Sequence, residues 1–596
     1  MTKTNTETVL TDVIVVGGGG AGMRAAIAAA EQGVNVVLLT KGQAAHSGAT
    51  PMACPSYQAA FAMEDDRDNP DVAFEDTCFE GRYLGDENLI KALTSESADR
   101  AMDMAQYGVK YRTKENGNFL QVVHPGHSYE RNLVIAGNGY AMAAGLLREV
   151  KKHEQVTILE DLVATRLLTE EDRITGLVAL NMRSGQPMVL RAPAVIMATG
   201  GYPELWRWTD TEPGLTGEGV VLAYQVGADL VDLEMMLFYP AGICYPSEIE
   251  GTLVQYEGLL TDKYCAGVML NGLKEHFLPE TNRLPVRDIM MKLMFREVEE
   301  GRGTPHGGVY IDLTKSPRSS DEIMQILKRL DSLPYNQLKD LGIDVLKEAI
   351  EVMPVTHYTL GGVYINEWAE TNVSGLFAAG EVSGNVHGAN RTSGNALAET
   401  QVFGARAGAR AAEYAKQTGS ASSFDEAAAE AEFQRIERFF AEHTSPIRPI
   451  DIKRKVKAVM HEHVHYKRNA VGLTAAIETL QQMRAEDLHR MQIVPGIRVY
   501  NYEWEEAIEA TFMVDLAEMV AASALAREES RGHHWRTDFP KMLQEWEKHI
   551  IVRRKDENSY QVLDAPVVRI KDRSKDRREA DPALMAVGVL EGYKGV

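Results

Sequence analysis

The sequence predicts an α/β protein with a Rossmann-like nucleotide-binding domain interrupted by insertions, and three observations carry that prediction. A β-branched run, Thr11 to Val16, leads directly into Gly17-Gly18-Gly19-Gly20-Ala21-Gly22. An Ala-rich helical stretch, Met23 to Gln32, and a second buried-type strand, Val34 to Leu39, follow at once. Far downstream, Ala194 to Gly201 and Gly375 to Glu381 repeat the pattern of a strand running into small residues.

The spacing Gly17-x-Gly19-x-x-Gly22 is the dinucleotide fingerprint, and its context of strand, turn, helix and second strand is complete. The first glycine permits a tight turn, the second lets a pyrophosphate approach the backbone, and the third lets helix and strand pack closely. Gly17, Gly19, Gly20 and Gly22 are therefore candidate cofactor residues, with the helix N-terminus supplying N–H groups and the positive end of its dipole. The acid expected at the end of the second strand is absent. Thr40 and Lys41 stand there instead, which weakens a simple NAD reading although a hydroxyl can still reach a ribose. With Thr199-Gly200 and Gly375 to Glu381 added, the pattern reads as one flavin fold, with Glu381 placed to bond a ribose or ribityl hydroxyl.

The chain of 596 residues is long enough for about four domain-sized units at roughly 150 residues each. Its 63 basic against 85 acidic side chains leave a net charge of −22, which disfavours nucleic acid as a partner. A local arginine cluster could still bind an anionic substrate. Cys54, Cys78, Cys244 and Cys265 form no CxxC pair, so neither a disulfide framework nor a resident metal or iron–sulfur site is expected. Met1 to Leu10 lacks a basic segment followed by an apolar one, and no uncharged apolar run reaches about 18 residues. A soluble cytoplasmic protein is the expectation.

Six motifs make the pattern more specific. They are Gly17 to Gly22; Thr216-Gly217-Glu218-Gly219; Val286-Arg287-Asp288 leading into Glu300-Gly301-Arg302-Gly303; and His357 to Gly362. The last two are His387 to Arg391 with Ser393 to Leu397, and Ala526-Arg527 through Gly532. In this order they resemble the succinate dehydrogenase/fumarate reductase flavoprotein family, which also contains L-aspartate oxidase and the adenylylsulfate reductase α subunit. The resemblance spans nearly the whole chain. It implies an FAD-binding domain at 10–240 that resumes at 355–417, a capping domain at 241–354, a helical domain at 418–545 and a C-terminal region at 546–596. Composition agrees in part: Ser423 to His443 and Ala470 to Arg490 read as amphipathic helices, after a linker at Ser420 to Ser423. The charged run Arg569 to Arg578 reads as solvated surface.

The resemblance also implies the chemistry. A flavin that reduces an activated C=C bond needs a proton source beside it and a fixed substrate carboxylate. An arginine fork makes two parallel charge-assisted bonds to carboxylate, and histidine adds a donor of adjustable charge. By resemblance His357 and Arg391 grip one carboxylate, while Arg287 donates the proton in reduction and accepts it in oxidation. A guanidinium shuttle needs help from a neighbouring acid or water, and Asp288 need not point the same way. Ser393, Asn395, Ala396 and Leu397 open a helix expected over Ala396 to Ala412, whose N-terminus would favour negative charge on reduced flavin.

Three departures from the family matter. Many members attach FAD through a histidine after Arg-Ser; here Ala45-His46-Ser47-Gly48-Ala49-Thr50 puts Gly48 in that place, so non-covalent FAD is expected. The family's His-Pro-Thr is Tyr239-Pro240-Ala241, and only Tyr256-Glu257-Gly258 resembles the start of its Thr-Glu-x-x-Arg-Gly-Glu-Gly loop. Tyr239 and Glu257 thus join His357 and Arg391 as candidate substrate contacts, with an altered far end that suits a longer, bulkier or monocarboxylic substrate. The leading expectation is a flavoprotein subunit that interconverts a saturated and an unsaturated carboxylate and passes electrons to a separate iron–sulfur partner, reaching a membrane only through partners. The alternatives are a stand-alone oxidase or dehydrogenase resembling L-aspartate oxidase, an adenylylsulfate reductase-like α chain, and an inactive flavin-binding assembly factor.

Overall fold

The computed structural model describes residues 7–279, 284–330, 333–419, 424–556 and 559–572. The linker expected at Ser420 to Ser423, and the part of the charged run beyond Asp572, lie outside the described residues.

At the centre is a five-stranded parallel sheet in the order Leu376–Ala378, Ala194–Met197, Val13–Val16, Val36–Thr40, Val156–Glu160. Val13 to Val16 are all buried, as a parallel strand covered on both faces requires. The three sequence segments read as strands into small residues are therefore neighbours in one sheet. Their C-terminal ends share an edge, the usual ligand-binding position in such folds. Two helices, Gly20–Glu31 and Asn395–Thr418, cross each other closely above the sheet. Gly408 makes this possible: a Cβ there would stand 2.2 Å from the Ala25 carbonyl oxygen. The second helix is longer than the expected Ala396 to Ala412 at both ends.

A second, antiparallel sheet joins Met236–Tyr245, Ile350–Thr359, Val309–Asp312 and Val268–Leu270. Its core, with Ile243, Met269, Ile311 and Val352, is separate from the main one. The expected boundaries at 240/241 and 354/355 fall inside the two long strands of this sheet. Paired antiparallel strands must run together, so both pass from the nucleotide domain into the cap as one ribbon, and Tyr239 and His357 sit on it where it crosses.

The helical region contains Glu426–Glu437, Pro449–His463, Ala470–Gln482 and Tyr502–Ala526. The two expected amphipathic helices are shorter than read, since tighter or wider turns at Arg438–Phe440 and Met483–Asp487 end them. Tyr502–Ala526 has no single apolar stripe because Trp504, Phe512, Met513 and Leu516 are buried around it. The C-terminal strands Lys548–Arg554 and Tyr560–Pro566 complete a sheet with Leu230–Val231 and Gly362–Val363, so this region is built into the nucleotide domain. Among the described residues, no helix is long and apolar enough to cross a membrane.

Candidate active site

One long cleft follows the C-terminal edge of the parallel sheet and ends under the cap. At its nucleotide end the glycine turn is sterically compelled. Gly17 has φ +118°, and a Cβ there would lie 2.2 Å from the Ala198 carbonyl oxygen. Gly22 does not line the cleft; a Cβ on it would meet the Gly17 carbonyl oxygen at 1.8 Å, so its role is the helix–strand contact. Gly17, Gly19 and Gly20 line the cleft, and the helix that starts at Gly20 has no side-chain cap.

Thr40, Lys41, Ser47, Gly48, Thr199, Gly200 and Glu381 also line it. Lys41 is fully engaged by protein: its ammonium donates to the Gly214 carbonyl at 3.0 Å, and to Glu218 and Glu509 at 2.5 Å. Burial would lower its pKa, but Glu218, Glu509 and Glu505 hold it well above the usual lysine value. This lysine ties the sheet edge to the long helical-domain helix. The Thr199 hydroxyl is buried against Gly219, without a partner among the described residues. Glu381 accepts from the Thr359 N–H at 2.9 Å, and burial pushes its carboxyl up to about 7.

A second uncapped helix N-terminus opens into the cleft from the opposite wall, behind Gly394 at φ +84°. Ser393, Ala396 and Leu397 line the cleft there, whereas the Asn395 side chain turns away and donates to Thr77 Oγ1 at 3.2 Å. Two uncapped helix ends and a glycine turn without room for side chains form the kind of donor set a dinucleotide with a flavin end requires. His46 is exposed and lies beside Tyr140, with ring centroids 6.0 Å apart, outside the cleft wall.

At the cap end the three candidate reactive residues meet. Arg391 Nη2 is 3.2 Å from His357 Nε2, and His357 Nδ1 is 2.8 Å from the Asp210 carboxylate. A carboxylate can only accept, so the ring carries its proton on Nδ1 and offers Nε2 as the acceptor for the guanidinium. Burial lowers the His357 pKa, Asp210 opposes this, and Arg391 and Arg287 lower it further, leaving a neutral imidazole. The histidine expected as a donor is thus an acceptor before substrate arrives. Arg391 is 6% exposed, lies 4.7 Å over the Tyr358 ring and has no ion pair among the described residues. Burial, and then Arg287, bring its pKa down to about 10.

Arg287 opens the helix Arg287–Glu297 and pairs with Glu257 at 3.5 Å, with its guanidinium 5.0 Å over the Tyr239 ring. Tyr239 donates to the other oxygen of Glu257 at 2.5 Å. Asp288 points elsewhere, into a buried fork with Arg82 at 2.7 to 3.0 Å, so successive residues of one helix turn serve different partners. Asp210 was missed by sequence reasoning. It lies in the loop after the Thr199-Gly200 turn, and no spacing marks it as the partner of a histidine 147 positions away.

Residues 12–397 match the family described as FAD binding domain, and residues 453–578 match that described as fumarate reductase flavoprotein C-term. The chain is 37% identical over 555 residues to one of the subunits of the fumarate reductase (CoM/CoB) of Methanothermobacter marburgensis, covering 92% of this chain and 98% of that one. It is 31% identical over 577 residues to the fumarate reductase flavoprotein subunit of Mycobacterium tuberculosis, covering 93% and 97%. Among solved structures, Mycobacterium smegmatis Sdh1 in complex with UQ1 superposes with a TM-score of 0.87 at 29% identity, over 99% of this chain and all of that one. These likenesses run through the nucleotide cleft, the cap and the helical region alike. The chain therefore belongs to the succinate dehydrogenase/fumarate reductase flavoprotein family and is an FAD-dependent oxidoreductase.

Proposed function

We propose that this chain is a flavoprotein subunit that interconverts a saturated and an unsaturated carboxylate and exchanges electrons with a separate iron–sulfur partner. The observation that carries the reading is the meeting of Arg287, His357 and Arg391, from three distant segments, at one end of the cofactor cleft. FAD, when bound, supplies hydride exchange at its N5. Gly17, Gly19 and Gly20 would hold its pyrophosphate, and the helix behind Gly394 its flavin end. His46 stands outside the cleft wall, which supports a non-covalent cofactor.

The protein's own groups divide the remaining work. Arg391 takes the substrate carboxylate, since among the described residues it has no carboxylate partner, whereas Arg287 has Glu257. Its departure from His357 Nε2 frees that nitrogen, and a proton there gives a second donor, with Asp210 balancing the charge. Arg287 delivers a proton to carbon in reduction and removes one in oxidation. Glu257, 3.5 Å away and oriented by Tyr239, restores the guanidinium proton. The cap sheet closes over these groups and strengthens each charge interaction by excluding water.

Only four cysteines occur, widely separated in sequence, which supports placing one-electron relays on another chain. The matched relatives are themselves named as subunits. The test is anaerobic mixing of the reduced holoprotein with fumarate, crotonate and adenylylsulfate. Reoxidation by an enoate supports the reading. Reoxidation by none of the enoates, with ferricyanide still oxidising the flavin, overturns it. Co-purification of an iron-containing protein with the tagged chain tests the partner.

A further inference from the structure

Resting on the function just proposed, we infer that Arg82 is a positioning residue for Arg287: its fork to Asp288 holds the helix turn from which Arg287 reaches the cleft. Two independent observations meet at this residue, one in its side chain and one in its backbone.

The side chain is buried and gives Asp288 three hydrogen bonds, from Nε and Nη2, at 2.7 to 3.0 Å. Asp288 is equally enclosed and has no other ion pair among the described residues. Its backbone carbonyl accepts from the Tyr466 hydroxyl at 2.8 Å. The rest of the helix Arg287–Glu297 is held by apolar packing on two sides. Met291 lies in the main core, and Met290 and Met294 lie in the core of the antiparallel sheet. Apolar packing is non-directional, whereas a fork between two buried ions fixes an angle. Neighbouring side chains of a helix leave it about 100° apart, so clamping Asp288 sets the direction in which Arg287 leaves the same turn. Arg82 itself does not line the cleft, so it acts through Asp288 and not on substrate.

The backbone carries the second observation. Arg82 and Tyr83 have φ of +53° and +55°, two successive left-handed residues of which neither is glycine. Such a conformation persists only where its surroundings over-determine it. Here the Arg82 carbonyl accepts from Arg531 Nη1 at 2.6 Å, and the Tyr83 carbonyl from Arg569 Nη2 at 2.5 Å. Glycine would adopt this turn without strain. What arginine adds at position 82 is the guanidinium that reaches Asp288. The preceding residues brace the other reactive arginine by contacts of their own. The Gly81 carbonyl accepts from the Ala389 N–H at 2.9 Å, and Glu80 accepts from Asn390 Nδ2 at 3.1 Å, just before Arg391. One short turn therefore fixes the proposed proton donor relative to the proposed carboxylate grip.

The test compares Arg82→Met with the unaltered holoprotein. The enoate is fumarate or crotonate, whichever reoxidises the reduced flavin of the unaltered protein. In the variant this reoxidation is expected to slow by about tenfold to a hundredfold, the loss that follows from misplacing a reacting group by about an ångström. Binding of the corresponding saturated acid, succinate or butyrate, to the oxidised holoprotein is expected to change by less than about threefold, because the braces on the Arg391 segment do not involve the Arg82 side chain. The decisive arm repeats the substitution in an Arg287→Lys background. There it is expected to cost less than about twofold, since the group it positions is already gone, whereas a general structural loss would multiply in both backgrounds. An unchanged rate in Arg82→Met, or an equal fold loss in both backgrounds, overturns the inference. If Arg82→Met binds no FAD, Asp288→Asn, which keeps the shape of the pair, is read by the same measurements with the same expectations. Loss of FAD from both variants would assign the pair to folding and also overturns the inference. If no enoate reoxidises the unaltered protein while ferricyanide does, the proposed function falls and takes this inference with it. Failure of the inference alone leaves the enoate reaction of the unaltered protein intact.

Discussion

Asp210 holds Nδ1 of His357 at 2.8 Å, and this contact decides what the opposite ring nitrogen can do. With the proton committed to the carboxylate side, Nε2 accepts from Arg391 in the free site and becomes a donor only by taking up a proton. On the function proposed above, substrate binding is thereby coupled to protonation of a buried imidazole.

Asp210→Asn removes the charge while keeping the shape. A hydrogen bond to a charged group contributes about 1.5–3 kcal/mol, so kcat/KM should fall by about tenfold to a hundredfold. Because burial lowers the His357 pKa, the ring is neutral near neutrality, and KM for the carboxylate should decrease as pH is lowered. That pH dependence should flatten in the variant. A variant with unchanged KM and an unchanged pH profile would remove Asp210 from the grip.

Arg287→Lys keeps the positive charge but loses the planar fork over Tyr239. Turnover should drop by orders of magnitude while FAD content and substrate binding persist, since the proposed carboxylate grip is Arg391. Glu257→Gln should slow turnover and enlarge the solvent isotope effect, by withholding the proton that recharges Arg287. Near-normal rates in either variant would exclude this route.

His549 stands between Asp232 at 2.6 Å and Asp86 at 3.2 Å. Burial would lower its pKa, but the two carboxylates more than offset this and raise it to about 9. A histidine raised on folding contributes its stability fully below the unfolded value near 6.5 and loses it as pH rises through about 9. The difference corresponds to about 3 kcal/mol as an order of magnitude. Thermal unfolding should show the wild type losing more stability than His549→Gln between pH 6 and pH 10. Parallel losses would show that the imidazolium does not anchor the C-terminal hairpin.

Denaturation in acid, followed by separation of protein from small molecules, should release all yellow colour, because Gly48 offers no nucleophile and His46 lies outside the cleft. Colour retained on the polypeptide would show a covalent link.

The glycine turn, the parallel strands and the candidates Arg287, His357 and Arg391, which the fold brings to one end of the cleft, were legible in the linear chain. Each depends on local rules: a fingerprint with strand and helix around it, a β-branched run, or a motif in its expected order. The burial of Tyr502–Ala526 was not legible, since a helix apolar on most sides shows no stripe to read. Nor was the position of Asn395, whose neighbours line the cleft while it turns to Thr77. Helix geometry sends successive side chains in different directions, and the same cause sends Asp288 to Arg82 while Arg287 faces the site.

What the chain's own order establishes, then, is the scaffold, its cofactor turn and which side chains are candidates for chemistry. Which carboxylate answers each cation is settled in three dimensions. Glu257 pairs with Arg287, three glutamates surround Lys41, and Arg391 faces His357 with no carboxylate partner among the described residues. The physical reason is that Coulomb interactions depend on distance and burial, and neither can be read from separation along the sequence.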